Sequence, residues 1–293
     1  MNTEKTKKPM SRRRKIAYIM ILVFFLLLGA EIFRSNTTID VESFEYKRDS
    51  VPKSFDGVKI VSVTDYHNHG GSYEDKLIQT IKDQSPDYIF LVGDIVDKHR
   101  NDVGSAGRFF KKCVDIAPCF LVYGNHELAL QQTAGEFEKY NEAASEAGVT
   151  ILANDIYELE RGDDSIYIAG TSSVTAADQL DEQMQYLDTS KPLLWLHHYP
   201  ENFRQLAVFA KDHGFEDTLF FCGHAHGGLI ELGPSYKGLF APGQGFFPEY
   251  TSGEYHSGSS EMLLSRGCGN SGYTLRVFDP FHLIVCTLRS SDK

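Results

Sequence analysis

Asp87-Tyr88-Ile89-Phe90-Leu91-Val92-Gly93-Asp94-Ile95-Val96-Asp97 is the stretch from which the fold can be read. An apolar run of strand length ends in a glycine and an aspartate, and a second aspartate follows three residues on. Unbroken apolarity of this kind marks a strand covered on both faces, as in a sheet packed between layers. The end of such a strand delivers a carboxylate to the rim of the core, where a cation can meet it. Taken alone, strand–Gly–Asp is a common turn.

The pattern recurs. Ile60-Val61-Ser62-Val63-Thr64 runs into Asp65-Tyr66-His67, and Phe120-Leu121-Val122-Tyr123 runs into Gly124-Asn125-His126-Glu127. Leu193-Leu194-Trp195-Leu196 runs into His197-His198-Tyr199-Pro200, and Leu219-Phe220-Phe221-Cys222 into Gly223-His224-Ala225-His226-Gly227-Gly228. Ligands of open α/β sheets gather outside the carboxyl ends of the strands. Strand ends that all carry imidazoles, carboxylates or an amide describe a metal site better than coincidental turns do.

Composition narrows the function. The 293 residues carry a net charge of −11, yet residues 1–15 hold a cluster of lysines and arginines, so the remainder is more acidic still. A body of that sign repels polyanions, which excludes nucleic-acid scaffold binding. Bound divalent cations would reverse the sign locally and admit a small phosphorylated substrate. The five cysteines, at 113, 119, 222, 268 and 286, are odd in number and lack CxxC spacing. They supply neither a thiolate zinc site nor a disulfide framework. Cys222 reads as a small buried hydrophobe, and a Cys113–Cys119 bridge stays open.

Residues 16–30 form an unbroken apolar stretch, followed by Glu31-Ile32-Phe33-Arg34. A spanning helix wants roughly 20 residues, and Ile32 and Phe33 extend the run towards that length. The alternatives are a cleaved signal peptide and an uncleaved anchor. Leu28-Gly29-Ala30 lacks a small residue at the outer cleavage position. Ser11-Arg12-Arg13 hints at a twin-arginine signal, but Arg14-Lys15 follow where apolar residues are required. We read residues 1–15 as a cytoplasmic basic segment, 16–33 as a single-pass transmembrane signal anchor, 34–54 as a polar tether with one edge strand, and 55–293 as one extracytoplasmic catalytic domain. The basic cluster sets that orientation.

Beyond the anchor, strands at 58–64, 87–93, 119–123, 192–197 and 218–222 alternate with helices. Ser72 is the expected N-cap of the first, whose Tyr73, Leu77, Ile78 and Ile81 share a face. Further helices are expected near 104–115, 128–147, 176–187 and 201–213. Residues 149–159 and 165–169 read as a hairpin. After residue 228 come short strands and a closing strand at 276–288. The class is α/β, mixed and more antiparallel in its second half.

Together, Asp65-x-His67, Gly93-Asp94-x-x-Asp97, Gly124-Asn125-His126-Glu127, the His198-Tyr199-Pro200 strand end and Gly223-His224-x-His226 resemble the calcineurin-like metallophosphoesterases. Ala241-Pro242-Gly243 and Ser265-Arg266-Gly267-Cys268-Gly269 fit the bacterial membrane-associated branch. The resemblance implies two mixed β-sheets packed as a sandwich flanked by helices, with metals at one end. It implies one metal on Asp65, His67, Asp94 and His226, and a second on Asp94, Asn125, His198 and His224. A carboxylate bridges two cations where an imidazole holds one, so Asp94 is the natural shared ligand. Donors of O and N without thiolate suit two divalent ions, Mn, Fe or Zn.

The activity implied is hydrolysis of phosphate mono- or diesters by metal-activated water, with His126 as general acid. His69 and His99 are placed on the substrate side, Asp97 as a structural helper and Glu127 as a brace of its loop. The His-x-Pro register favours His198 over His197 as ligand. His213, His256 and His282 read as surface residues. Leu229 stands where many relatives carry glutamine, and His69 where they carry an apolar residue. Expected partners are a phosphorylated small molecule, lipid or wall polymer and the membrane, with no protein partner. The alternatives are a non-catalytic binding module that keeps the fold, and a metal-dependent amide or lactone hydrolase, the latter resting on His69.

Overall fold

A computed structural model describes residues 10–231, 233, 238–272 and 275–291. Helix α1 (Arg12–Ser35) leads into strand β1 (Ile39–Arg48). There follow β2 (Lys59–Val63), α2 (Ser72–Asp83), β3 (Tyr88–Val92), α3 (Val103–Val114), β4 (Cys119–Val122), α4 (Asn125–Ala129), α5 (Glu136–Ala147) and β5 (Thr150–Ile151). The second half holds the hairpin β6 (Asp155–Arg161) and β7 (Asp164–Thr171), α6 (Asp181–Met184), β8 (Leu193–His197), α7 (Phe203–Asp212) and β9 (Thr218–Cys222). The short pair β10 (Phe240–Ala241) and β11 (Gly245–Phe246) precedes β12 (Gly253–Ser257), β13 (Ser260–Leu264) and β14 (Phe281–Ser290).

Two six-stranded sheets result, in the orders β1-β14-β2-β3-β4-β5 and β12-β13-β9-β8-β7-β6. Strands β2 to β5 run parallel, as do β7, β8, β9 and β13, while β14 is antiparallel to β2. The alternation of side chains along β3 explains its continuous apolarity. Ile89 and Leu91 pack in the cluster that contains Leu77 and Ile81 of α2 and Phe109 of α3. Phe90 and Val92 turn the other way, into a cluster shared with Ile168, Leu194 and Phe221 of the second sheet. Phe90 meets Phe221 edge-on across the gap, ring centroids 5.1 Å apart. Trp195 and Phe220 cover the far face of the second sheet together with Phe203 and Leu206 of α7. The architecture is a sandwich of mixed sheets with helices outside, as the resemblance implies.

Several local expectations need correction. The edge strand expected within 34–54 is β1, longer than a tether suggests: it pairs with β14 over ten residues, and Tyr46 is buried. Charged neighbours such as Glu45 and Lys47 suit that edge position, where a strand buries little of its surface. Gly71, at φ 71°, is the N-cap of α2, and Ser72 is the first helical residue. The 128–147 helix breaks at residues 133–135, where Gly135 takes a left-handed φ of 78°. The expected 149–159 strand divides between the sheets, β5 joining the first and β6 the second. Asn154, left-handed at φ 58°, turns the chain there, a conformation asparagine tolerates. Residues 175–180 form a 3-10 turn before the short α6. All five thiols are free and buried, so Cys113 and Cys119 are not bridged. Residues 1–9 of the expected cytoplasmic segment lie outside the described residues.

Candidate metal centre

Asp65, Asp94, Asn125, His198 and His224 lie just beyond the carboxyl ends of β2, β3, β4, β8 and β9. The first three strands are neighbours in one sheet and the last two are neighbours in the other. Packing the sheets face to face brings both sets of ends to one rim. Asp65, His67, Asp94, His224 and His226 all hold positive φ, from 47° to 68°. Such a conformation costs a non-glycine residue roughly 1–2 kcal/mol, and strain of this kind concentrates where side chains must be aimed. Gly93 has φ 78°, and a Cβ there would sit 2.6 Å from His198 Nδ1. A Cβ on Gly223 would collide with Thr64 and Asp65.

Hydrogen bonds lock the loops together. Asp65 N–H donates to Gly93 O and His67 N–H to Asp94 O, each at 3.0 Å. Asp65 Oδ2 accepts from Thr64 Oγ1 at 2.7 Å and from His224 N–H at 3.0 Å. Asp94 Oδ1 accepts from His126 N–H at 2.8 Å. His198 Nδ1 donates to Val92 O at 2.8 Å, which fixes its tautomer and frees Nε2. Glu127 braces the centre from behind. Its Oε2 accepts from Asp94 N–H at 2.7 Å and Gly124 N–H at 2.8 Å, and Oε1 from Val96 N–H at 3.1 Å.

What these bonds leave over faces inward. Asp65 Oδ1, Asn125 Oδ1 and His198 Nε2 are buried and have no hydrogen-bond partner. His198 Nε2 lies 3.3 Å from Asp94 Oδ2 and 3.9 Å from Asp65 Oδ1. His67 Nε2 is 3.8 Å from Asp65 Oδ1 and 3.9 Å from Asp94 Oδ2, and His226 Nε2 is 3.4 Å from Asp65 Oδ1. The donors fall into overlapping groups: Asp65, His67 and His226; Asp94, His198 and His224; and His67, Asp94 and His126. Buried polar atoms are almost always satisfied, so converging orphans of lone-pair type fit divalent cations.

Protonation agrees with that fit. Burial pushes His67 down to about 3 and His224 down to about 4, so both rings offer free lone pairs at neutral pH. Burial also opposes charge on His198, but the Asp94 carboxylate overrides it and lifts the ring to about 10. The centre therefore recruits positive charge beside Asp94, from a proton where no cation supplies it.

His126 lies at the edge of the centre, its Nε2 3.8 Å from Asp94 Oδ2 and so closer to it than side-chain alternation suggests. Burial lowers its pKa, yet Asp97 and Asp94 outweigh burial and leave it raised. Asp97 accepts from His99 N–H at 2.8 Å and Gly272 N–H at 3.2 Å, the bonds of a loop organiser. His99 is exposed, 6.0 Å from the His126 ring. With Lys98, Leu229, Phe240, Pro242 and Ser271 it lines a cleft of about 320 Å³ that opens on Asp94, Asn125, His126, His224 and His226. A wider groove of about 650 Å³ between α2 and α3 holds none of these groups.

Other expected positions fall elsewhere. His69 packs against Tyr73 and Phe281, ring centroids 4.3 and 5.2 Å away, and does not line the cleft. His197 is a satisfied core residue, with Nδ1 2.9 Å from Thr171 Oγ1 and Nε2 3.1 Å from Asn202 Nδ2. His282, expected at the surface, is buried beside Glu42 at 3.0 Å. Arg276 was missed. It is fully buried, donates to Arg266 O at 2.7 Å and Gly269 O at 3.0 Å, and lies 3.2 Å from His226 Nδ1. A single arginine ahead of a closing strand carries no spacing signal that could have revealed it.

A family model described as calcineurin-like phosphoesterase matches residues 58–228, more than half of the chain. The uncharacterised metallophosphoesterase YkuE of Bacillus subtilis is 29% identical over 269 residues, covering 87% of this chain and 87% of its own. The uncharacterised metallophosphoesterase Cj0846 of Campylobacter jejuni is 28% identical over 288 residues, covering 94% of this chain and 69% of its own. The solved structure of TT1561 from Thermus thermophilus covers 72% of this chain and 90% of its own, at 14% identity and a TM-score of 0.45.

Proposed function

The chain belongs to the calcineurin-like phosphoesterase family, and from that premise we propose that it hydrolyses phosphate mono- or diesters at a two-cation centre on the outer side of a membrane. The observation that carries the reading is the set of buried, unpartnered Asp65 Oδ1, Asn125 Oδ1 and His198 Nε2. His198 Nε2 lies against Asp94 and Asp65, while Asn125 lines the same cleft as Asp94. Asp65, His67, Asp94 and His226 would hold one divalent cation, and Asp94, Asn125, His198 and His224 the other. Such a pair supplies Lewis-acid activation of water and neutralises phosphoryl oxygens. Manganese, iron and zinc all suit this donor set.

The residues of the chain do the rest. His126 holds a proton at the cleft and donates it to the departing oxygen. Lys98 and His99, at the rim, meet the anionic substrate. Glu127 keeps the Asp94 and Gly124 backbones in register, so the Asp94 carboxylate does not drift.

Anchoring is supported by α1. Its 24 residues span about 36 Å, and its apolar side chains, Phe24, Leu26 and Leu27 among them, are exposed. Residues 16–33 form the span in this reading. Arg12, Arg13, Arg14 and Lys15 stay on the cytoplasmic side, and the folded domain beyond it faces outward.

Full-length protein purified in detergent, stripped and reloaded with Mn²⁺, is to be assayed on p-nitrophenyl phosphate and bis-p-nitrophenyl phosphate. Turnover of at least one ester with two equivalents bound is expected. Two bound equivalents without turnover would favour a binding module, and turnover confined to amides or lactones would favour the other hydrolase class.

A further inference from the structure

The end of α1 is bonded into the ribbon that walls the cleft. Asn36 Nδ2 donates to Arg276 O at 2.9 Å, Phe278 N–H to Glu31 Oε1 at 3.1 Å, and Asp279 N–H to Ser35 Oγ at 3.2 Å. From there the ribbon continues through backbone hydrogen bonds and one isolated bridge between Ile230 and Val277. Glu231 N–H donates to Val277 O and Val277 N–H to Leu229 O, both at 3.0 Å. Leu239 N–H donates to Ile230 O at 3.0 Å, and Phe247 N–H to Leu239 O at 2.9 Å. Leu229 stands three residues after His226 and, with Phe240, lines the cleft.

This ribbon exposes apolar side chains where a soluble surface would carry charge. Phe246 is 71% exposed, Phe247 61%, Phe278 52%, Leu275 52% and Phe240 38%. Phe278 is bonded at the level of Glu31, in the last turns of α1, where a spanning helix leaves the hydrocarbon. Only residues 36–38 separate α1 from β1, so the domain has no slack to lift away.

We propose that the ribbon of residues 229–231, 239–247 and 275–278 rests on the lipid bilayer and opens the cleft at its surface, so that the substrate is a membrane-resident phosphate ester, a phosphorylated lipid headgroup. The inference rests on the anchor and phosphoesterase readings given above. A bilayer is the occupant that the geometry selects, because the apolar ribbon is continuous with the helix that enters it. Amphipathic surfaces with aromatic side chains partition into the headgroup boundary. Lys98 at the mouth suits an anionic headgroup. In the reaction, a water oxygen bonds to phosphorus as the bond from phosphorus to the lipid-side oxygen breaks. The departing oxygen takes a proton, so no further reactant is required.

The test uses the full chain in phosphatidylcholine vesicles. The sole tryptophan, Trp195, is fully buried, so Phe246→Trp adds a reporter over a constant background. Brominated phosphatidylcholine should quench the added emission at least twofold. Vesicles carrying dioleoyl phosphatidic acid or dioleoyl phosphatidylglycerol should be hydrolysed at least tenfold faster than glycerol 3-phosphate or glycerophosphoglycerol in solution. Phe246→Glu with Phe247→Glu should remove that advantage and leave p-nitrophenyl ester turnover unchanged. An unquenched reporter in protein that resists carbonate extraction would overturn the inference and leave the anchor standing. Quenching with p-nitrophenyl turnover but no preference for either lipid would overturn the substrate class. Carbonate release of the chain would overturn the anchor and this inference together. Absence of any ester turnover with two metals bound would overturn it through the phosphoesterase reading.

Discussion

The backbone N–H of Lys98 donates to His126 Nδ1 at 3.0 Å. The neutral ring accepts this bond at Nδ1 and keeps its proton on Nε2, 3.8 Å from Asp94 Oδ2. The imidazolium, the form able to act as an acid and the one favoured by Asp97 and Asp94, carries a second proton on Nδ1, 3.6 Å from Asp97 Oδ1. The ring is thereby set as a donor towards the centre without having to turn.

That setting defines what His126→Ala should do. Both metals should remain, while turnover of alkyl phosphate esters falls about 10²–10⁴-fold, the range of a positioned acid. Nitrophenyl esters should lose much less, because their phenolate departs without a proton. Equal losses on both ester classes with full metal content would leave His126 as a phosphate contact and remove it as the acid.

Asp94→Asn should deplete both metal sites and abolish activity. Its Oδ2 lies between His198 at 3.3 Å and His67 at 3.9 Å, at the junction of the two donor groups. Metal per chain after gel filtration decides the matter, and two retained equivalents would exclude Asp94 as the bridge.

Glu127→Ala should destabilise the fold by about 3–9 kcal/mol, the sum over three stranded donors. The substitution strands the N–H groups of Asp94, Gly124 and Val96 in the interior, at roughly 1–3 kcal/mol for each unsatisfied group. Urea unfolding of metal-free protein measures it. A loss under 1 kcal/mol would mean that water replaces the carboxylate.

The buried His197 predicts a pH dependence. Burial holds its folded pKa at about 3, below the ordinary 6.5. Between these values the unfolded chain binds the extra proton, so stability present above pH 6.5 is lost as pH falls. The slope is about 1.4 kcal/mol per pH unit for one proton. In metal-free protein, His197→Gln should flatten the stability profile from pH 6.5 to 5 by about that amount. Parallel profiles would show that His197 does not titrate in the unfolded chain alone.

On topology, protease added to intact cells should digest the folded domain, while a tag fused at Met1 stays protected. The basic residues Arg12 to Lys15, ahead of the apolar stretch, motivate this orientation. A protected domain with an accessible tag would invert it.

The strand ends were legible in the sequence because each is a local event: an apolar run, a turn residue, then the chemical group. Asp65, His67, Asp94, Asn125, His198, His224 and His226 could be selected because contiguous motifs need no knowledge of what lies opposite. Alternation along the strand allows only one of His197 and His198 to face the centre, and the His-x-Pro spacing of the resemblance selected His198.

Tertiary structure decided everything that depends on partners far along the chain. Nothing near Glu127 in sequence shows that it holds the backbone of Asp94, 33 residues away. Arg276 reaches His226 across 50 residues. His69, adjacent to the motif of Asp65 and His67, is drawn into packing with Tyr73 and Phe281. An edge strand could be expected in 34–54, but only the fold shows that β14 supplies its ladder. The ribbon between α1 and the cleft is held by hydrogen bonds that join residues 240 to 247 positions apart at the helix and 8 to 48 positions apart beyond it. Sequence patterns record which face each residue buries; only folding determines which faces meet, because that depends on the register of strands distant in the chain.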